Sequence, residues 1–336
     1  MISHPSRFAA LVALLVTLTH SPLHAADPPA QTPTKTLRVF LLAGQSNMEG
    51  QAVSDLDGRD YNQGRGTLLW LLKNPETAKL AQYWRMPDDS WNRRNDVWCW
   101  YQREARPLLA GPLSMGFSVY GDSHHFGPEL ECGRVLGDAL EDPVLLVKTA
   151  WGGKSLAVDF RPPSAGGQTG KYYQLMIQQL HSILQPKQLA TDLPELTNSK
   201  PVLSGFVWYH GWNDGVDPQK AVPEYKSNLI HLINDVRHEF QSPQLPVVIG
   251  ELTGPWVDAP GEWNTLRKAQ AAAAQHPEFN GTVAFVPTHH FVRPKEDSPN
   301  PTHGHHEFGN AETYLLTGHA LGEALLKLVQ KTNTSP

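Results

Sequence analysis

The amino-acid sequence predicts a three-layer α/β/α sandwich built on a parallel sheet. Short apolar runs recur along the chain, segments with helical periodicity lie between them, and the two kinds of segment alternate. Apolar runs without polar alternation are typical of strands that are covered on both faces, as parallel strands are. Their alternation with helices is the order that builds a sheet with helices on both sides.

Five runs are predicted to form buried strands: residues 37–43, 143–149, 202–209, 246–251 and 282–287. Five helices are predicted at residues 128–140, 171–185, 221–240, 262–274 and 310–328. A chain of 336 residues is long enough for one such domain with long loops. We therefore predict a single domain over residues 37–330.

The N-terminus has the features of a secretory signal peptide, predicted over residues 1–25. Arg7 precedes an apolar run, residues 8–18, that is too short to span a bilayer, and Ala25 supplies a small residue at the expected cleavage site. Residues 26–36 are rich in Pro, Thr and Ala and are predicted to form a flexible leader. We therefore expect an exported protein, either periplasmic or extracellular.

The charge of the chain argues against some partners. Arg7 is the only charged side chain in residues 1–25, so removing them changes the formal net charge from −5 to −6, that is, −5 less the +1 of Arg7. A mildly acidic protein without a Lys/Arg block is not expected to bind nucleic acid. No later apolar run suggests a membrane span. Export permits Cys99 and Cys132 to pair, and the sequence leaves open both this pairing and the oligomeric state.

Residues 50–127 interrupt the alternation and are predicted to form a decorated insertion, because they are too long for a plain loop. Half of the ten tryptophans of the chain lie there: Trp70, Trp84, Trp91, Trp98 and Trp100. Tryptophan rings fill cores more often than they bind ligands, although an exposed ring stacks well on a sugar. Trp98 and Trp100 are our candidates for sugar contact.

Chemistry is expected at the residues that directly follow the strands, since ligands bind parallel sheets at the carboxyl ends of their strands. After the first strand come Gly44-Gln45-Ser46-Asn47-Met48, which place a hydroxyl at a strand-to-helix turn. Ser46 is therefore a candidate nucleophile. The same residues are also compatible with a turn that ends in a serine N-cap.

Two further strand ends supply groups that can hold an oxyanion. Gly152-Gly153 follow the second predicted strand, and a glycine pair lets backbone N–H groups turn toward a bound oxygen. Asn213 lies in the turn after the third strand and offers a neutral amide donor. Each turn is ordinary by itself. Their occurrence on successive strand ends favours an acyl-transfer site.

The last polar segment, residues 301–308, precedes the final predicted helix and is rich in histidine. A histidine in this position can reach Ser46 as a general base. Six of the sixteen histidines lie in the C-terminal region: His289, His290, His303, His305, His306 and His319. Such a cluster also permits a metal site, although no helical His-Glu-x-x-His pattern accompanies it.

Taken together, these blocks resemble those of the SGNH hydrolases, in particular the sialate O-acetylesterase and acetylxylan esterase branch of carbohydrate esterases. The likeness spans about residues 37–327 and is carried by residues 44–48, Gly152-Gly153, residues 211–214 and residues 306–314. It implies a flavodoxin-like fold. It also implies that Ser46 is the nucleophile and His306 its base. The oxyanion would be held by the Ser46 amide, a Gly153 or Gly152 amide, and Asn213.

The chain departs from that branch at two places. Residues 210–212 read His-Gly-Trp where the branch often has Gln-Gly-Glu. The usual acid three residues before the histidine is absent, because His303 stands there when the count starts at His306. Asp297 is our leading candidate for the acid, and Glu296, Asp214 and a backbone carbonyl are the alternatives. His305 is the alternative base.

These observations predict a secreted serine esterase that removes O-acetyl groups from a carbohydrate, either an acetylated polysaccharide or sialic acid, through an acyl-enzyme intermediate. No cofactor and no metal are expected. A non-catalytic carbohydrate-binding protein on the same fold is one alternative, and acetate release would exclude it. A metal-dependent hydrolase that uses the late histidines is the other, and it should lose activity on chelation.

Overall fold

The computed structural model describes Met1, residues 35–252, Gly254 and residues 261–334. The chain divides into two compact units, Met1–Thr32 and Pro33–Pro336, and all the elements below belong to the second. The predicted signal peptide, apart from Met1, and residues 26–34 of the predicted leader lie outside the described residues. Export and cleavage therefore stay predictions.

Nine strands occur within the described residues, and seven of them form the central sheet. They are β1 (Lys35–Gly44), β2 (Ala52–Val53), β3 (Val97–Tyr101), β4 (Leu109–Pro112), β5 (His125–Phe126), β6 (Val144–Ala150), β7 (Ser199–Tyr209), β8 (Val247–Gly250) and β9 (Val283–Val286). The sheet order is β4-β3-β6-β1-β7-β8-β9. Only β4 runs antiparallel to its neighbour. Strands β2 and β5 form a separate antiparallel ribbon.

The α-helices of the described residues connect these strands. They are α1 (Ser46–Glu49), α2 (Leu68–Leu72), α3 (Pro75–Ala81), α4 (Glu129–Ala139), α5 (Lys171–Ile183), α6 (Pro186–Asp192), α7 (Trp212–Gly215), α8 (Ala221–Glu239), α9 (Gly261–Ala274) and α10 (Ala311–Thr334). All five predicted helices and all five predicted strands are confirmed, with ends that differ by a few residues. None of the helices in the described residues combines the length and apolarity needed to cross a bilayer.

Two cores lie on opposite faces of the sheet. Strand β1 shows how they arise, because alternate side chains point to opposite faces: Leu41 lies in one core and Phe40 and Leu42 lie in the other. The first core is covered by α5, α6, α8 and α9, and the second by α2, α3, α4 and α10. This arrangement is the three-layer α/β/α sandwich that the sequence predicts.

The segment predicted as an insertion, residues 50–127, contains more of the fold than we expected. It supplies β3 and β4, which extend the main sheet and which the sequence analysis did not predict. Trp98 and Trp100 lie on β3 and are only 8% and 4% exposed, packed in the first core. The expectation that they contact sugar is therefore wrong, because their rings are covered by the protein itself.

The two cysteines are both buried and do not pair. Cys99 lies on β3 and Cys132 on α4, and each is a free thiol. Burial raises the pKa of Cys132 to about 12, so the thiol stays protonated and unreactive. Both side chains act as small apolar groups in the second core.

A buried ion pair supports the turn that follows β1. The Lys148 ammonium, on β6, donates to the Glu129 carboxylate at 2.7 Å, and neither side chain has any exposed surface. The same ammonium donates to the backbone oxygens of Glu49 (2.8 Å) and Phe117 (2.6 Å). Three hydrogen bonds satisfy all three of its protons, which is the condition under which a buried charge is tolerated.

We expect Lys148→Met to lower the free energy of unfolding by about 3–5 kcal/mol, because the Glu129 carboxylate would stay buried without its partner. Urea titration followed by circular dichroism measures this loss. The matched control is Arg38→Met, which removes a half-exposed pair with Asp142 and should cost no more than about 1 kcal/mol. Adding Glu129→Gln to Lys148→Met should restore part of the loss. Equal losses in the two single variants would contradict this account.

Candidate active site

Ser46 begins helix α1 directly after β1, in a turn that only glycine permits at its start. A Cβ on Gly44 would lie 2.1 Å from the Tyr209 carbonyl oxygen, so this close approach of two strands requires glycine. The Ser46 side chain is 8% exposed. Its own amide makes no backbone hydrogen bond within the described part of the chain, as expected at the first turn of a helix.

Gly152 packs against Ser46 from the adjacent strand end. A Cβ there would lie at an ordinary contact distance of 3.5 Å from the Ser46 Cβ but only 2.8 Å from the Glu49 carboxylate, so a larger residue would displace Glu49. The Gly152 amide is already used, since it donates a hydrogen bond to Glu49. Gly153 differs: it is exposed, has a φ of +72°, and no atom lies within 4 Å of where its Cβ would be. Of the two glycines, Gly153 is the one with open space before it.

The Asn213 turn is tied to the Ser46 helix by Gln45. The Gln45 side-chain oxygen accepts from the backbone amides of Gly211 (3.1 Å) and Asn213 (3.4 Å). Gln45 is buried, whereas Asn213 is half-buried at the start of α7. The residue before the candidate nucleophile therefore fixes the turn that carries the candidate amide donor.

His210 and Asp214 clamp the Asn213 turn to the loop that carries Gly153. The Asp214 carboxylate accepts from the amides of Leu156 (2.8 Å) and Ala157 (2.9 Å). His210 Nε2 lies 2.8 Å from the Lys154 carbonyl oxygen, which can only accept, so Nε2 carries the proton. Both side chains are buried, and this clamp joins the two loops that would hold an oxyanion.

Burial shifts both members of the clamp toward their neutral forms. It lowers the pKa of His210 to about 3, so the imidazole is uncharged. It also raises the pKa of Asp214 to about 7; the two amide donors oppose this shift, and the carboxylates of Asp159 and Glu224 add to it. Asp214 therefore titrates near neutral pH. From the sequence, Asp214 is expected only as an alternative for the carboxylate that pairs with the base histidine.

The histidine segment, residues 304–309, lies against α1. Asn47 donates to the Glu307 carboxylate at 3.1 Å, and the Tyr314 hydroxyl lies 2.8 Å from Asn47 Oδ1 and 3.4 Å from the His306 carbonyl oxygen. Glu307 and Phe308 have φ values of 51° and 56°, a left-handed conformation that is strained for both residues. The contacts through Asn47 and Tyr314 hold this strained segment beside Ser46.

His306 is half-buried between its neighbours, and His305 faces the Asn213 turn. Burial lowers the pKa of His306 to about 3, and the adjacent His305 and His303 lower it further, so the ring is neutral and can accept a proton. The rings of His305 and Trp212 lie 5.7 Å apart. Within the described residues, neither histidine is hydrogen-bonded to Ser46. Such contacts often form only when substrate is bound.

The structure gives no support to the carboxylates considered as the acid of a triad. The Asp297 side chain is 67% exposed and lies 3.9 Å from Arg65, and the Glu296 side chain is 69% exposed. Asp214 is engaged in the clamp. No carboxylate bonds to His305 or His306 in the part of the chain that the structure describes.

A further histidine–carboxylate pair, at the end of β8, was missed in the sequence. The Glu251 carboxylate, just after β8, accepts from the amides of Thr288 (2.9 Å) and His289 (3.0 Å), and lies 2.5 Å from His289 Nδ1. The only available signal was that Glu251 ends a predicted strand. Among the described residues, no three His, Cys, Asp or Glu side chains are placed to hold a metal ion. The arrangement that a metal-dependent hydrolase requires is not found there.

Comparison with known proteins identifies the family. A family described as SASA, "carbohydrate esterase, sialic acid-specific acetylesterase", matches residues 36–315, which include Ser46, Gly153, Asn213 and His306. The chain belongs to this family. It is therefore a carbohydrate acetylesterase by family, a class of carboxylic ester hydrolase, and the resemblance seen in the sequence is confirmed. No curated protein sequence matches the chain significantly.

The chain was also compared with solved structures of other proteins. A protein from Arabidopsis thaliana superposes with a TM-score of 0.54 at 14% identity, over 86% of this chain and 97% of that one. A carbohydrate acetylesterase from Xanthomonas citri gives a TM-score of 0.49 at 16% identity, over 85% of this chain and 56% of that one. NanS gives 0.46 at 13% identity, over 76% and 78%. The Arabidopsis protein supports the fold alone.

We expect the acidic limb of the kcat profile of this esterase to follow Asp214. Its pKa is about 7, and below this pH the protonated carboxyl can no longer accept from both loop amides, so kcat should fall as the pH falls through 7. Asp214→Asn should lower kcat about tenfold, because an amide leaves one loop N–H without an acceptor, and should flatten the limb. Stopped assays of acetate release from pH 5 to pH 9 measure both. An unchanged limb in Asp214→Asn would contradict this assignment.

Proposed function

We propose that the chain is an exported serine esterase that removes O-acetyl groups from a carbohydrate, with Ser46 as nucleophile. The observation that carries this proposal is the set of contacts that converge on the Ser46 turn. Gln45 bonds to the Asn213 turn, Asn47 bonds to the histidine segment, and Gly152 packs on Ser46 itself. A mere N-cap serine would not require these links to three distant parts of the chain.

The proposed reaction is a two-step acyl transfer. The Ser46 oxygen attacks the acetyl carbon as His306 takes the hydroxyl proton, and the carbonyl electron pair moves onto its oxygen. When that oxyanion collapses, the bond to the sugar oxygen breaks and His306 returns the proton to the departing sugar hydroxyl. A water molecule, deprotonated by His306, then attacks the acetyl carbon of the acetyl-serine ester. The bond between that carbon and the Ser46 oxygen breaks, His306 returns the proton to Ser46, and acetate leaves.

The oxyanion would be held by the Ser46 amide, the Gly153 amide and the Asn213 side chain. The use of the Gly152 amide by Glu49 favours Gly153 over Gly152 as the second donor. Donors on two loops stabilise a developing charge only when they are fixed beforehand, and the clamp of His210 and Asp214 supplies that rigidity. No cofactor takes part in this mechanism.

Export and substrate are the finer parts of the proposal. Export rests on the signal-peptide features of residues 1–25. The substrate is proposed to be an acetylated polysaccharide or an acetylated sialic acid, the latter from the description of the family. Acetate release from acetylated xylan, acetylated sialic acid and a simple aryl acetate, measured side by side, tests the substrate. Fractionation of cells that express the full chain tests export.

We expect Asn213→Ala to lower kcat by about a hundred- to a thousandfold with a smaller change in KM, because it removes a donor used mainly in the transition state. Ser46→Ala should reduce turnover to near the rate of the uncatalysed reaction. Steady-state kinetics on an aryl acetate measure both. The matched control is Asn234→Ala, a half-buried residue on α8 that bonds to Glu278. An undiminished kcat in Asn213→Ala would refute its role.

The base is tested by comparing two adjacent histidines. We expect His306→Ala to reduce kcat by about a thousandfold or more, since the hydroxyl would lose its proton acceptor. His305→Ala should cost much less, because its ring packs on Trp212. Asp297→Asn should have little effect, as the carboxylate is exposed. Collapse in His305→Ala with full activity in His306→Ala would reverse the assignment. Full activity in both His305→Ala and His306→Ala would refute the serine–histidine mechanism.

A further inference from the structure

An exposed aromatic ring lies close to the nucleophile helix. Tyr120 is 48% exposed. Its hydroxyl donates to the Gln51 side-chain oxygen at 2.9 Å, and the Gln51 amide nitrogen lies 3.5 Å from the Ser46 carbonyl oxygen. Two successive contacts thus connect this ring to the backbone of the proposed nucleophile.

The Tyr120 ring is held firmly although it is exposed. One face packs on the His125 ring, with centroids 4.0 Å apart and an angle of 30° between the planes. The turn that carries it is fixed by Ser118, whose hydroxyl oxygen accepts from the amides of Tyr120 (3.2 Å) and Gly121 (3.4 Å). About half of the surface of Tyr120 nevertheless stays exposed to solvent. A preorganised aromatic face of this kind binds the apolar face of a sugar ring at little entropic cost.

A guanidinium group with unused donors accompanies the ring. Arg106 is exposed and donates to the Val119 carbonyl oxygen at 2.6 Å, next to Tyr120. Among the described residues, no carboxylate lies within 4.0 Å of its nitrogens, whereas the nearby Glu104 pairs with Lys171. Burial raises the pKa of Tyr120 and of Glu49, and the charge of Arg106 offsets part of both shifts. Its field therefore extends to the Ser46 helix.

Two other exposed aromatic residues have their rings engaged by cations of the protein itself. The Trp70 ring has the side chains of Arg65 and Lys73 within 5.7 Å and 5.5 Å of its centroid. The Tyr83 ring has Arg94 and Arg134 at 5.6 Å and 5.7 Å. Tyr120 differs from both because no Lys or Arg of the described structure lies over its ring, and because its hydroxyl contacts Gln51, which follows α1 closely.

We propose that Tyr120 and Arg106 form a sugar subsite beside Ser46, in which a pyranose ring of the acetylated saccharide stacks on Tyr120 and an anionic substituent pairs with Arg106. The substituent is a carboxylate or a sulfate ester, both of which suit the planar fork of a guanidinium. This subsite rests on the proposed function for its substrate. It assigns recognition of the sugar to Arg106 and Tyr120, whereas three tryptophans of residues 50–127 are buried in the cores: Trp84, Trp98 and Trp100.

Binding to the Ser46→Ala protein tests the subsite without turnover. The probes are three acetylated oligosaccharides: one that contains a uronic acid, one that is sulfated, and a neutral xylo-oligosaccharide, each titrated by calorimetry. Tyr120→Ala should weaken all three about tenfold, whereas Tyr120→Phe keeps the ring and should retain most of the affinity. Arg106→Gln should weaken only the two anionic probes, about three- to tenfold at low salt, and high salt should reduce this difference.

The comparison of the two anionic probes identifies the source of the charge, since the one that loses more in Arg106→Gln carries the preferred group. The matched controls are Trp70→Ala and Arg93→Gln, an exposed aromatic and an exposed cation outside the subsite, and both should bind like the parent. Thermal melts of each variant verify the fold. Failure of all three probes to bind the parent, or equal affinity in Tyr120→Ala, would overturn the subsite. Equal losses for neutral and anionic probes in Arg106→Gln would overturn its anionic part.

Activity separates this inference from the proposed function. On the native Ser46 protein, Tyr120→Ala should raise KM for the saccharide with a larger loss of kcat/KM than on an aryl acetate, which has no sugar ring to stack. If acetate release depends on Ser46 but Tyr120→Ala loses the same kcat/KM on both substrates, the esterase function is supported and the subsite is refuted. If the probes bind as predicted but the native protein releases no acetate, the subsite is supported and the esterase activity is refuted.

Discussion

The buried ammonium of Lys148 is the interaction on which the rest of the site depends. It lies on a central strand and has no exposed surface, and its three hydrogen bonds reach three separate segments: the end of α1, the segment before the Tyr120 turn, and the start of α4. A charge in such a place must keep every partner, because each lost hydrogen bond leaves a desolvated ion. The Lys148 Nζ atom therefore holds both the end of the nucleophile helix and the segment that leads to the proposed sugar subsite.

From this anchor the site is assembled by side chains that are not themselves reactive. Gln45 and Asn47 flank Ser46 and hold the turns on either side of it, while His210 and Asp214 join the two loops proposed to bind the oxyanion. Each of these groups is buried, so its hydrogen bonds are costly to break and its geometry is well defined. The histidine in place of the branch's usual glutamine has such a role here, because its Nε2 proton binds the Lys154 carbonyl oxygen.

Much of the fold could be read from the sequence, because periodicity reports burial directly. The run from residue 37 to residue 43 predicts β1 well, since both of its faces lie against a core. Strands β3 and β4 were missed although the aromatic residues of β3 favour a strand, because both strands are short and lie in a segment rich in polar residues. The candidate site residues follow strand ends and were found in that way. The sequence could not show that Asp297 and Tyr120 are exposed, or that Glu251 contacts His289. These features depend on the directions of side chains in loops.

The position of β1 in the sheet has a consequence for how the chain acquires its structure. This strand comes first in the described sequence, yet it pairs with residues 144–150 on one side and with residues 199–209 on the other. Until synthesis has passed Ala150, both edges of this apolar strand lie without their native neighbours, and one edge stays so until synthesis has passed Tyr209. Pairings across more than a hundred residues therefore precede its burial. Burial of β1 on both of its edges thus depends on long-range pairing. A chain that stops short of β7 exposes this strand as a site for aggregation or for a chaperone.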